Sequence, residues 1–134
     1  MDWMDFGIRM FAALFLGGVI GLERQWRQRM TGLRTNALVS IGSATFVMMG
    51  GLIGGDGSQG RVAAYVVSGI GFLGGGVILK DGFNIRGMNT AATLWCTAAV
   101  GTLCGASLML EAAAGAFVIL LLNTLVRAFT DKEA

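Results

Sequence analysis

Gly87-Met-Asn-Thr-Ala-Ala-Thr-Leu-Trp-Cys96 opens an apolar run that reaches about residue 110. A helix needs about 20 apolar residues to cross ~30 Å of hydrocarbon, and this run has that length. On a helix, Asn89, Thr93 and Cys96 stand four and seven residues apart, on one face. Polar side chains aligned on such a helix need partners, because hydrocarbon offers none. Reading outward gives similar segments at about 6–22, 35–54, 62–79 and 112–127, beside 90–110. Of the 134 residues, 54% are hydrophobic and 13% charged, whereas roughly a quarter are charged in a soluble domain. The expectation is an all-α membrane protein, a compact, Gly-rich bundle of five transmembrane helices. Residues 1–134 then form a single domain.

The first segment is not a secretory signal. Asp2 and Asp5 stand where a basic n-region belongs, and Arg9 interrupts the apolar run. Trp3 suits an interfacial anchor. With five alternating crossings, one side receives Arg24, Arg27, Arg29, Arg34, Lys80, Arg86, Arg127 and Lys132, and the other only Arg9 and Arg61. Basic loops stay in the cytoplasm, so the N-terminus is expected outside and the C-terminus inside.

Proline is absent and there are 22 glycines. In lipid, glycine lets helix backbones approach closely. Pairs four apart recur, as in Gly17/Gly21, Gly71/Gly75 and Gly101/Gly105. The run Ser68–Gly76 contains Gly69, Gly71 and Gly74, a literal G-x-G-x-x-G. That pattern marks a dinucleotide site only between a strand and a helix; inside an apolar segment, it and Gly75 read as packing positions. Gly74-Gly75-Gly76 can also loosen the helix.

The main charged stretch, Glu23 to Arg34, keeps its loop inside and meets anionic lipid headgroups. Its sharper reading is a site for an anionic group or a partner, built from Glu23, Arg24, Arg27 and Arg34. Arg34 would stand near the positive end of the second helix, and Glu23 could pair with Arg27 at i+4. Arg9 could pair with Asp5 in the same way, or snorkel. Asn89 suits an N-cap as well as a recognition role. Thr93 could bond back to the Asn89 carbonyl, and Cys96 could simply pack. Cys96 and Cys104 are too far apart on one helix for a disulfide. With no His and no acid at depth, neither catalytic residues nor a metal or other cofactor are expected.

The order and spacing of four motifs resemble the bacterial MgtC/SapB family. They are Gly21-Leu-Glu-Arg24, Gly32-Leu-Arg-Thr35, Ser68-Gly-Ile-Gly-Phe-Leu-Gly74 and Gly87-Met-Asn-Thr-Ala-Ala-Thr-Leu-Trp95. The resemblance implies a multi-pass protein of the bacterial inner membrane. Functional members carry an Asn and a Cys seven apart at the start of the fourth helix, which Asn89 and Cys96 match. Many members lack that Cys, so this chain stands nearest the family's virulence factors. Members often continue into a cytoplasmic ACT-like domain, which is expected to be absent here.

The implied function is virulence and regulation: survival inside macrophages and growth in low magnesium. It works through membrane partners such as the F1Fo ATP synthase and a small regulatory membrane peptide. The residues themselves fit a non-enzymatic regulator acting through helix–helix contacts, in contact with membrane lipids, as a homodimer, and with no nucleic acid. Asn89, Thr93 and Cys96 would supply polar specificity. The alternative is a small magnesium or other ion transporter or channel, although the acidic residues such a path usually shows within spans are missing.

Overall fold

The computed structural model describes residues 2–27, 31–55, 57–81 and 84–126. Arg29, Arg127 and Lys132 of the charge count lie outside them. Within the described residues the order is α1 (Trp3–Trp26), α2 (Leu33–Ile53), α3 (Ser58–Gly76), β1 (Leu79–Asp81), β2 (Asn84–Arg86), α4 (Met88–Gly105) and α5 (Met109–Leu121). A π-helical turn, Leu122–Val126, continues α5. The two short strands pair antiparallel, with Leu79 opposite Arg86, and the other elements among the described residues are helical.

Among the described residues five helices form, but by length and composition only three of them can cross a membrane: Trp3–Trp26, Leu33–Ile53 and Met109–Val126. The expected bundle of five transmembrane helices is corrected accordingly. The reason lies in composition. The third helix begins Ser58-Gln-Gly-Arg61 and carries glycine at 60, 69, 71, 74, 75 and 76. The fourth carries Asn89, Thr90, Thr93, Thr97 and Thr102. Such residues interrupt an apolar run little by eye, yet they add little to the transfer free energy of a span. The N-outside, C-cytoplasmic orientation rested on five crossings and falls with them. The glycine triple ends α3 rather than breaking it: Val77 N–H bonds to the Gly74 carbonyl at 3.2 Å and Ile78 N–H to Gly75 at 3.2 Å.

Helix α4 is the hub, touching α1, α2, α3 and α5. Bare backbone makes its approach to α2 possible. A Cβ at Gly101 would collide with the Ser40 carbonyl oxygen, and one at Gly105 would lie 2.6 Å from the Ala44 oxygen. Helix α1 meets α2 in the same manner. A Cβ at Gly17 would stand 2.5 Å from Ser40 Cβ, and one at Gly21 2.6 Å from the Gly32 oxygen. Ala13, Ile20, Ala44, Met48, Val100, Cys104, Ala112 and Ala116 fill the resulting core. Arg9 pairs with Asp5 at 2.9 Å and donates to the Gly105 carbonyl at 2.7 Å. It thereby ties the start of α1 to the negative end of α4.

The α4–α5 turn is a Schellman cap, with Leu108 N–H on the Leu103 carbonyl (2.9 Å) and Ser107 N–H on Cys104 (3.0 Å). Ser107 takes the left-handed position, φ 68°, which is costly for an L-residue with a side chain. Ser107→Gly should therefore stabilise the protein by about 1 kcal/mol, read as a raised melting temperature in detergent. An unchanged or lower melt would contradict this account of the turn.

Candidate functional site

Two rows of side chains divide α4. The inner row is Thr90, Thr93, Thr97, Gly101 and Cys104, all buried and spaced three and four apart, so they share a face. Its hydroxyls bind the neighbouring helices. Thr90 Oγ1 accepts from the guanidinium of Arg24. Thr97 Oγ1 is 3.0 Å from Asn36 Oδ1 and 2.9 Å from the Thr93 carbonyl. Thr93 Oγ1 donates to the Asn89 carbonyl at 2.9 Å, the local bond expected from the sequence, and accepts from Asn123 Nδ2 at 3.2 Å. Asn36, with no exposed surface, also donates to the Gly32 carbonyl at 3.0 Å. A polar seam thus joins α1, α2, α4 and the end of α5 inside the bundle.

The outer row begins at Asn89. The cap of α4 is Gly87, at φ 94° with no side-chain capping bond, because a Cβ there would collide with the Val77 carbonyl. Asn89 lies in the first turn instead, exposed, and the capping role that suited it in the sequence belongs to Gly87, two residues before it. Seven residues on, half-buried Cys96 lines an apolar cleft of about 600 Å³ between α3 and α5. Ala99, on the same face, lines it too. Thr93 therefore parts from Asn89 and Cys96: its side chain faces the bundle, and theirs lie on the outer side.

The basic stretch also divides. Glu23 pairs with Arg27 at 3.7 Å, and Arg34 is exposed in the first turn of α2. Arg24, expected in a loop, is only 1% exposed and sits in the last turn of α1. The glycines divide likewise. Gly17 and Gly21 face α2, and a Cβ at Gly74 would lie 3.5 Å from Ala91 Cβ. At Gly69, Gly71 and Gly75 it would meet nothing within 4 Å.

Asn36, Thr90, Thr97 and Asn123 join the site only in the structure. Asn123 carried a signal: it is a lone amide after Leu120-Leu121-Leu122 in a helix long and apolar enough to span, where polar side chains mark function or pairing. Thr90 and Thr97 flank Thr93 at helical spacing and mark the inner face as plainly as Asn89 and Cys96 mark the outer. Chemically, the inner seam fixes helices, and the outer row offers an amide and a thiol beside an apolar cleft.

The model of the MgtC family matches residues 10–132. Protein MgtC of Brucella abortus (strain 2308) is 61% identical over 115 residues, 86% of this chain and 48% of that protein. Protein MgtC of Salmonella typhimurium (strain LT2) is 55% identical over 120 residues, 90% of this chain and 52% of that protein. An uncharacterized protein of Synechocystis is 55% identical over 127 residues, 95% of this chain and 54% of that protein. The chain spans about half the length of the curated relatives it matches. No solved structure matches it. With a family match over nearly its whole length and helices suited to crossing a bilayer, the chain is a multi-pass protein of the bacterial inner membrane and belongs to the MgtC family.

Proposed function

We propose that this protein is a non-enzymatic membrane regulator that docks a partner's transmembrane helix against the outer face of α4. The observation that carries this reading is the placement of Cys96 in the outward cleft with Asn89 exposed at the head of the same helix. Ala99 and Gly115 keep the cleft wall low, which favours close helix approach. Trp95, 54% exposed, supplies an aromatic anchor beside it. The family resemblance implies partners such as the F1Fo ATP synthase or a small regulatory membrane peptide, in the setting of intramacrophage survival and low magnesium. The alternative of an ion path finds less support. The inner hydroxyls are committed to bonds between helices, and the seam gives way to the apolar packing of Val100 and Cys104 against Ala44 and Met48.

The test is co-purification of the ATP synthase from bacterial membranes. Asn89→Ala and Cys96→Ala should each lower capture about tenfold, the equivalent of one or two interhelical contacts, with unchanged melting. Capture by both variants at the wild-type level would sink the reading. We also infer a homodimer, supported by the open side of α3 at Gly71 and Gly75. Sedimentation in detergent should show a two-chain species at high protein-to-detergent ratio; a monomer at every ratio would exclude it.

A further inference from the structure

Helix α5 ends on a π-helical turn, and that turn holds a buried amide. Residues Leu122–Val126 are π-helical, a geometry that is rare and frequently found at functional sites. Asn123 within it is 9% exposed on a helix long and apolar enough to span, where an inward amide is costly unless bonded. Its Nδ2 donates to Thr93 Oγ1 at 3.2 Å, and that hydroxyl donates onward to the Asn89 carbonyl at 2.9 Å. Two hydrogen bonds therefore run from the end of α5, through the interior, to the backbone of the exposed recognition residue.

We propose that Asn123 is a positioning residue: it holds the first turn of α4 in the rotation that turns Asn89 outward and Cys96 into the cleft. The inference rests on the partner-docking reading above and adds to it a control point on a different helix. The geometry favours this role over simple bundle packing. Ala112 and Ala116 already bury the α5 face against the core, and neither touches Thr93 through a polar atom. Among the described residues, Asn123 donates to the hydroxyl that bonds the Asn89 carbonyl. A shift of the π-turn would thus be felt at the docking face.

The experiment compares Asn123→Leu, Thr93→Val and Thr93→Ser by two readouts: amide hydrogen exchange over residues 89–93 and capture of the ATP synthase. Asn123→Leu and Thr93→Val should speed exchange there and lower capture, each about tenfold. Thr93→Ser keeps the hydroxyl and should stay within about twofold of wild type in both. Faster exchange with wild-type capture by Asn123→Leu would overturn the proposal and leave the docking reading standing. Wild-type capture by Asn89→Ala and Cys96→Ala would instead remove the docking reading. Unchanged exchange in Asn123→Leu would show that the relay does not hold the turn. Loss of fold in all three variants, Thr93→Ser included, would make the bond purely structural and also overturn the proposal.

Discussion

Gly101→Val should prevent α2 and α4 from closing, with a loss of about 3 kcal/mol or more in stability. The reason is backbone against backbone. Even the first atom of a new side chain would collide with the Ser40 carbonyl oxygen and stand 2.8 Å from Ser40 C and Cα. None of these atoms can swing aside as the tip of a side chain would. The helices would have to part by roughly 1 Å to restore ordinary contact. Separation at that point would also disturb Ser40 Oγ, which donates to the Ala13 carbonyl of α1 at 2.8 Å. A single substitution on α4 thus reaches the α1–α2 pair. Gly7→Ala is the control: a Cβ there meets nothing within 4 Å, and alanine is the better helix former. Thermal or denaturant unfolding in detergent should separate the two variants widely. A Gly101→Val protein as stable as wild type would refute the close-approach account.

The order of the helices among the described residues was legible in the sequence, because apolar runs punctuated by charge mark segments directly. So were the i+4 pairs Asp5–Arg9 and Glu23–Arg27, and the back-bond from Thr93 to Asn89, since helical spacing alone places them. The number of crossings was not. Helix α3 is rich in glycine and α4 in threonine, and both pass for apolar on inspection while falling short of a span. The facing of α4 was harder still. In water a polar row points outward, but in a membrane either side of a helix can be apolar or polar. Thr90, Thr93 and Thr97 turned inward and Asn89 turned outward, and the sequence offers two equally polar rows. Arg24 was misplaced for a related reason. A charge next to Glu23 and Arg27 reads as loop, whereas the helix runs on to Trp26 and turns Arg24 toward Thr90.

That buried arginine leads to the second large effect. Arg24→Ala should cost about 3 kcal/mol, combining a charge-assisted hydrogen bond with the space left by its stem. At 1% exposure, solvent cannot take the place of the lost donor, and Thr90, with no exposed surface, keeps an acceptor facing the gap. The pairing is between the last turn of α1 and the first turn of α4. Its loss should therefore loosen the very turn that carries Asn89. Arg24→Lys should recover only part of the stability, because a compact ammonium cannot reproduce the planar fork of the guanidinium. The decisive measurement is a double-mutant cycle with Thr90→Val. Thr90→Val alone should cost about 1–2 kcal/mol, and the coupling between the two sites should be about 1.5 kcal/mol or more. A coupling below ~0.5 kcal/mol, the range in which independent sites simply add, would mean that Arg24 stabilises α1 without gripping α4. In that case Arg24→Ala would leave hydrogen exchange in the first turn of α4 as it is in the wild type.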